Sequence, residues 1–126
     1  MPDRPFALSS RLRSFQFALR GLGVMLRTQH NAWIHAAATV AVALGGFYFQ
    51  LCAAEWCWIV LAVAAVWSAE AMNTAFEFLA DATSPGFHPL IGRAKDVAAA
   101  AVLLTAAGAA TIGGLVFWPH VVRFLW

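Results

Sequence analysis

The sequence predicts an all-α membrane protein, with an amphipathic surface helix followed by three transmembrane helices in a single domain spanning residues 1–126. Three observations predict it. Hydrophobic residues make up 62% of the chain and charged residues 11%, against roughly half and a quarter in soluble domains, so this inventory cannot build a water-facing surface. Apolar runs fall at about residues 32–51, 56–81 and 97–118, each close to the roughly twenty residues that cross a hydrocarbon core of about 30 Å. Most of the remaining charges lie before the first run, between the second and third, or at one end of the second. A chain of this length holds one domain.

From about residue 9 to 28, Leu12, Phe15, Leu19, Leu22 and Leu26 form one stripe, while Arg13, Arg20 and Arg27 recur seven residues apart on another. That is the pattern of a helix lying in the headgroup region with its arginines toward anionic lipid. Gly21 and Gly23 weaken it. The segment from Met1 to Arg27 intersperses charges among apolar residues and has no continuous apolar stretch before a small-residue cleavage site, so it does not read as a signal peptide.

The first span contains His35, a lone histidine read as a structural hydrogen-bonding residue. A short turn over residues 50–55 leads to the second span, which begins at Trp56 and runs to about Asp81. The prolines and glycines of residues 82–92 predict a loop, and the third span is expected to end at Pro119. Cys52 and Cys57 can bridge in principle but read as small apolar fillers. Trp33, Trp56, Trp58, Trp118 and Trp126 read as interfacial anchors and Trp67 as a packing residue. Arg4, Arg11, Arg13, Arg20 and Arg27 precede the first span, and Arg93 and Lys95 lie between the second and third. By the positive-inside rule the N-terminus and the second loop are cytoplasmic.

The second span holds the anomaly. On a helix, Glu70, Thr74, Glu77 and Asp81 fall at about 0°, 40°, −20° and 20°, with Asn73 at about −60° on the flank. Ala71, Met72, Ala75, Phe78 and Leu79 lie opposite, and the acidic end faces the cytoplasm. An intramembrane carboxylate is costly, so the stripe turns toward a bundle interior or a wet cleft. Runs of Ala and Gly in all three spans allow close helix approach, and oligomerisation is the expected way to cover the acids.

Carboxylate and amide oxygens suit Mg²⁺, which takes one or two protein carboxylates and shares its other positions with substrate phosphates that Lys95 and Arg93 can hold. Glu70, deeper than Glu77 by about 10 Å along the helix, is placed to act as a base toward a hydroxyl from the lipid side. No G-x-x-x-x-G-K-[ST] or G-x-G-x-x-G loop is present. From physics alone a proton or cation pore stands about level with a phosphotransfer enzyme. The enzyme is favoured because the acids crowd one interface and neither other span has an Asp, Glu, Lys or Arg to continue a path. Asp81 reads equally as a ligand or as a helix-end charge fixed by Arg93. His30 and Asn31 contact phosphate or headgroup, or cap the helix. No basic patch with stacked aromatics points to nucleic acid.

The stretch Glu70-Ala-Met-Asn-Thr-Ala-Phe-Glu-Phe-Leu-Ala-Asp81, followed by Gly92-Arg-Ala-Lys-Asp-Val-Ala-Ala-Ala-Ala-Val102, resembles the signature of the small prokaryotic diacylglycerol kinase and undecaprenol kinase family. The resemblance implies a homotrimeric enzyme of the bacterial inner membrane that uses Mg-ATP to phosphorylate a lipid alcohol, with sites shared between subunits. It implies Glu70 as general base, Glu77 as metal ligand, and Asn73, Asp81 and Arg93 as support. Nucleotide binding falls to Gln29, Glu77, Gly86, His88, Lys95 and Asp96, with Phe17 as a further contact, and the lipid to Arg13, Asn31 and Glu70. Gln29 departs from the family's usual Glu, a second metal ligand; an amide oxygen still coordinates Mg²⁺ but brings no charge. Diacylglycerol is the acceptor the family label implies. The His-Asn-x-x-Ile-His pattern of residues 30–35 resembles the undecaprenol branch.

Overall fold

The computed structural model describes residues 8–126, in element order α1 (Leu8–Thr28), α2 (His30–Tyr48), α3 (Ala53–Thr83) and α4 (Pro89–Leu125). Among the described residues the fold is entirely helical. Arg4, counted above for orientation, lies outside them. The expected surface helix is present as one unbroken element through Gly21 and Gly23. Two helices, α3 and α4, are long and apolar enough to cross a membrane. The third expected span, α2, does not reach that hydropathy, because His30, Asn31 and His35 crowd its first turns.

Gln29 alone separates α1 from α2. Its backbone is extended (φ −111°, ψ 118°) and no side chain caps α2 there, while its N–H closes the last turn of α1 on the Met25 carbonyl at 2.9 Å. The Gln29 side chain is thereby free for tertiary use.

At the other end, α2 stops in a Schellman turn: the Leu51 N–H reaches the Gly46 carbonyl at 3.0 Å and the Gln50 N–H the Phe47 carbonyl at 3.2 Å. Gln50 holds the left-handed position at φ 54°, a conformation that suits glycine better. Gln50→Gly is therefore expected to raise stability by about 1 kcal/mol, read as a higher midpoint in thermal unfolding of the detergent-solubilised protein.

Beyond the turn, Cys52 caps α3. Its N–H donates to Glu55 Oε2 at 2.8 Å, and both Cys52 and Cys57 remain free thiols. Leu51, Ile59 and Val116 form the buried centre of this end, with Phe49, Trp56 and Phe117 packed around them. Trp56, expected as an interfacial anchor, lies over Gly46, where an added Cβ would stand 2.6 Å from its ring. Gly46→Ala is expected to cost about 1–3 kcal/mol, since ring and backbone must both shift; unchanged thermal unfolding would contradict this contact.

α3 packs most extensively on α4. Two expectations for α4 are corrected. It begins at Pro89, with His88 as N-cap, so the predicted loop shrinks to residues 84–88; proline at the first helical position lacks only an N–H that has no helical partner anyway. It also continues through Pro119 to Leu125. An interior proline removes one helix bond and costs about 3 kcal/mol. Contacts beyond it hold the last turns: His120 Nε2 and Glu55 Oε1 lie 2.8 Å apart, and the Phe124 ring packs edge-on against Tyr48 and Phe49.

Candidate functional site

The acidic stripe of α3 grades from buried to open. Glu70 is 0% exposed, Asn73 6% and Thr74 4%; Glu77 is half-buried and Asp81 exposed. A single chain therefore already covers the deepest polar residues. The turn between α1 and α2 delivers Gln29 onto Glu77, and His35 comes to Glu70. The opposite face points outward, with Met72 59%, Phe78 46% and Leu79 60% exposed, as a lipid-facing surface requires.

Glu77 sits between two amides. Asn73 Nδ2 donates to its Oε1 at 3.1 Å and Gln29 Nε2 to its Oε2 at 2.9 Å. Asn73 and Glu77 meet because they are one helical turn apart; Gln29 reaches them from 48 positions away. Asn73 Oδ1 is buried with no hydrogen-bond partner, an acceptor left without a donor. Among the described residues no three His, Cys, Asp or Glu side chains converge on one point. Both amides present N–H to Glu77 as they stand; turned to offer their oxygens, they and the carboxylate make a donor set that fits a hard divalent cation, with its remaining positions open to phosphate or water.

About one turn further along α3, Lys95 Nζ donates to Asp81 Oδ1 at 2.8 Å, with side-chain exposures of 39% and 70%. Asp81 is thus paired with Lys95 and not with Arg93. On α4 these two cations stand about 200° apart, and it is Lys95 that faces α3. The pair is exposed, so it adds little to stability, and a stronger anion can displace it. His88 Nδ1 accepts the Leu90 N–H at 3.3 Å and so caps α4. Gly86, His88, Arg93 and Asp96 are exposed on the adjoining loop and first turns of α4, and Asn31 is exposed beside the start of α2.

Phe17 is not brought into the Glu77 group. It lines a cavity of about 640 Å³ between α1 and α3, with Met25, Thr74 and Phe78, and the Arg20 guanidinium lies 5.8 Å from its ring centre. Arg13 is exposed on α1 and is not among the residues around that cavity.

Two groups carry more of the site than the sequence discloses. Thr74 Oγ1 donates to the Glu70 carbonyl at 2.9 Å, a local helix bond that its place in the stripe foreshadows. His35 Nε2 lies 3.7 Å from Glu70 Oε2. Neither His35 Nε2 nor either Glu70 carboxylate oxygen has a hydrogen-bond partner. Nothing in the spacing of His35 and Glu70 signals that meeting, because it depends on how α2 packs on α3.

Fold and site together define a helical membrane protein with a carboxylate, amide and lysine centre at one end of its bundle. Residues 16–117 match the family described as prokaryotic diacylglycerol kinase, and the chain belongs to that family. It is 40% identical over 117 residues to an undecaprenol kinase of Bacillus subtilis, covering 93% of this chain and 95% of the relative. It is 35% identical over 115 residues to a diacylglycerol kinase of Synechocystis, covering 90% and 66%, and 28% identical over 120 residues to a diacylglycerol kinase of Escherichia coli, covering 90% and 98%. Membership places the chain among membrane lipid kinases, with ATP as phosphate donor.

Proposed function

We propose that the protein phosphorylates a membrane lipid alcohol from Mg-ATP, with Glu70 as general base. The observation that carries this reading is Glu70 itself, a carboxylate with no exposed surface and no hydrogen-bond donor on either oxygen. A buried carboxylate left unsatisfied is costly to the fold. It is explained if a substrate hydroxyl supplies the missing donor.

Glu77 and the Asn73 and Gln29 amides would hold Mg²⁺, which when bound neutralises charge on the transferring phosphoryl group. Lys95, released from Asp81, reaches the nucleotide phosphates together with Asp96, Gly86 and His88 from the adjoining segments. Phosphoryl transfer asks the protein mainly for positioning and charge neutralisation. The lipid hydroxyl oxygen attacks the γ-phosphorus, its proton passes to Glu70, and the bond to the bridging oxygen breaks with its electron pair leaving on ADP. Three membrane spans including α2, the acidic end in the cytoplasm of a bacterial inner membrane, and the homotrimer with shared sites belong to the same proposal. The basic residues flanking the spans and the family resemblance support it. Arg13 and Asn31 are proposed at the lipid headgroup, and Phe17 at the site's margin.

Diacylglycerol, giving phosphatidic acid, is the acceptor that the family description supports. Undecaprenol is a second reading, favoured by the relative that is 40% identical and named for that activity. ATP consumption by the purified protein should require both Mg²⁺ and a lipid alcohol, and a panel of diacylglycerol and undecaprenol identifies the acceptor. ATP consumption indifferent to lipid would overturn the proposal.

Gln29 makes a separate prediction. In Gln29→Glu two carboxylates meet where an amide now donates at 2.9 Å. Repulsion should lower stability without metal by up to about 1 kcal/mol, on the scale of a half-buried pair. The added charge should lower the Mg²⁺ concentration needed for half-maximal activity. Equal Mg²⁺ dependence in both forms would place residue 29 outside the metal shell.

A further inference from the structure

Glu70 does not face its missing partner alone. His35 Nε2 lies 3.7 Å from Glu70 Oε2, with side-chain exposures of 14% and 0%, and both atoms lack hydrogen-bond partners. That separation is too long for a direct bond, yet a single hydroxyl oxygen can stand about 2.8 Å from each. It would accept from Nε2–H and donate to the carboxylate.

The space beside His35, which Glu70 itself does not line, has a definite chemical character. A cavity of about 460 Å³ runs between α2, α3 and α4. His35 lies toward its Glu70 end, and Ala110, Gly113 and Phe117 line its far end. Its lining is Ala, Val, Ile, Gly and Phe apart from His35 and Thr39. Thr39 is already engaged, since its Oγ1 donates to the His35 carbonyl at 2.7 Å and accepts Trp67 Nε1–H at 3.0 Å. Beyond His35 Nε2, no polar group of the lining remains for ester carbonyls near the head of a ligand, whereas a plain hydrocarbon needs none. Along α4 from Ala106 to Phe117 the lining extends about 16 Å, the length of a chain of roughly a dozen carbons.

We propose that His35 is a substrate-contacting residue: with Glu70 it receives the hydroxyl of an unesterified, prenol-like lipid alcohol whose hydrocarbon chain occupies the cavity between α2, α3 and α4. This rests on the function proposed above and, between its two acceptors, favours the second reading over diacylglycerol. The alcohol oxygen uses one lone pair to accept from His35 Nε2–H and the other to attack the γ-phosphorus. Its proton goes to Glu70 Oε2, and ADP leaves with the electron pair of the broken bond. His35 orients the nucleophile and takes no proton.

The test separates binding from turnover. The full-length protein in detergent micelles is titrated with radiolabelled undecaprenol without ATP, and then supplied with Mg-ATP. His35→Ala should weaken prenol binding and raise the KM for prenol by about tenfold, the scale of one buried hydrogen bond, while the KM for ATP changes by less than about twofold. His35→Gln, which keeps a side-chain N–H, should recover part of that loss, and it carries the test if the alanine variant does not fold. Gly113→Leu should also weaken prenol binding by about tenfold through filled space, because a Cβ there meets nothing within 4 Å. Diacylglycerol should bind more weakly than the prenol.

Prenol binding and KM unchanged in His35→Ala would overturn the inference. So would equal binding of diacylglycerol, or a Gly113→Leu variant that changes oligomeric size but not prenol binding, which would show that a second copy of the chain fills the cavity. Prenol binding that depends on His35 and Gly113, with no phosphate reaching the lipid, would uphold the alcohol site and remove the kinase reading instead.

Discussion

Glu70→Gln is expected to lower lipid phosphorylation by about 10²–10⁴-fold, the contribution of a positioned general base, while leaving the fold intact. The substitution keeps the side chain's shape and removes its basic oxygen. Glu70 is fully buried and makes no side-chain hydrogen bond, so the wild-type fold carries a desolvated carboxylate with His35 as its nearest counterpart. Replacing it with a neutral amide removes a cost to stability. Thermal unfolding should therefore be unchanged or shifted upward as activity falls. Loss of activity together with loss of the folded protein would instead make Glu70 a structural residue. Turnover within about tenfold of wild type would remove it from proton transfer.

Glu77→Ala is expected to be comparably severe by a different route. It deletes the one acceptor shared by Asn73 Nδ2 and Gln29 Nε2, leaving two partly buried donors unsatisfied at about 1–3 kcal/mol each. It also deletes the only carboxylate in the proposed Mg²⁺ shell. Activity should fall by at least about 10²-fold and should not be restored by high Mg²⁺. The reciprocal exchange sharpens this. Glu77→Gln alone should be impaired, whereas Gln29→Glu combined with Glu77→Gln restores one acid and one amide at the same contact and should regain part of the activity. If the double variant is no better than Glu77→Gln, position 29 does not share the metal with position 77, and the coupling between them is structural.

The two predictions draw on parts of the site that were unequally legible in the sequence. The α3 stripe could be read directly, because a helical period of 3.6 fixes which of residues 70–81 share a face; Glu70, Asn73 and Thr74 are indeed the buried polar residues of that helix. The pairing of Glu77 with Asn73 follows from the same period. The contacts of Gln29 with Glu77 and of His35 with Glu70 did not, since each joins separate helices. His35 read as a structural histidine because it stands as a lone histidine in its span; the structure adds a carboxylate from α3 beside it. Asp81 was expected beside Arg93, and only the facing of α4 on α3 selects Lys95 instead.

The helix ends show the same division. Periodicity located the surface helix and α3 within a few residues. Proline was misread twice, at Pro89 as a loop residue and at Pro119 as a terminator. In the first case the outcome turned on proline's fit to a first helical turn. In the second it turned on contacts from His120 and Phe124 to other helices, which a linear reading does not contain.

The central claim is that the acids of α3 serve phosphoryl transfer to a lipid alcohol and not ion passage. It is tested most directly by following the γ-phosphate of labelled ATP in vesicles containing the purified protein, Mg²⁺ and a lipid alcohol, with proton flux recorded in parallel. The account predicts label on the extracted lipid, dependent on Mg²⁺ and lost in Glu70→Gln, with no proton flux above protein-free vesicles. Proton flux without ATP, and no label on any lipid, would contradict it.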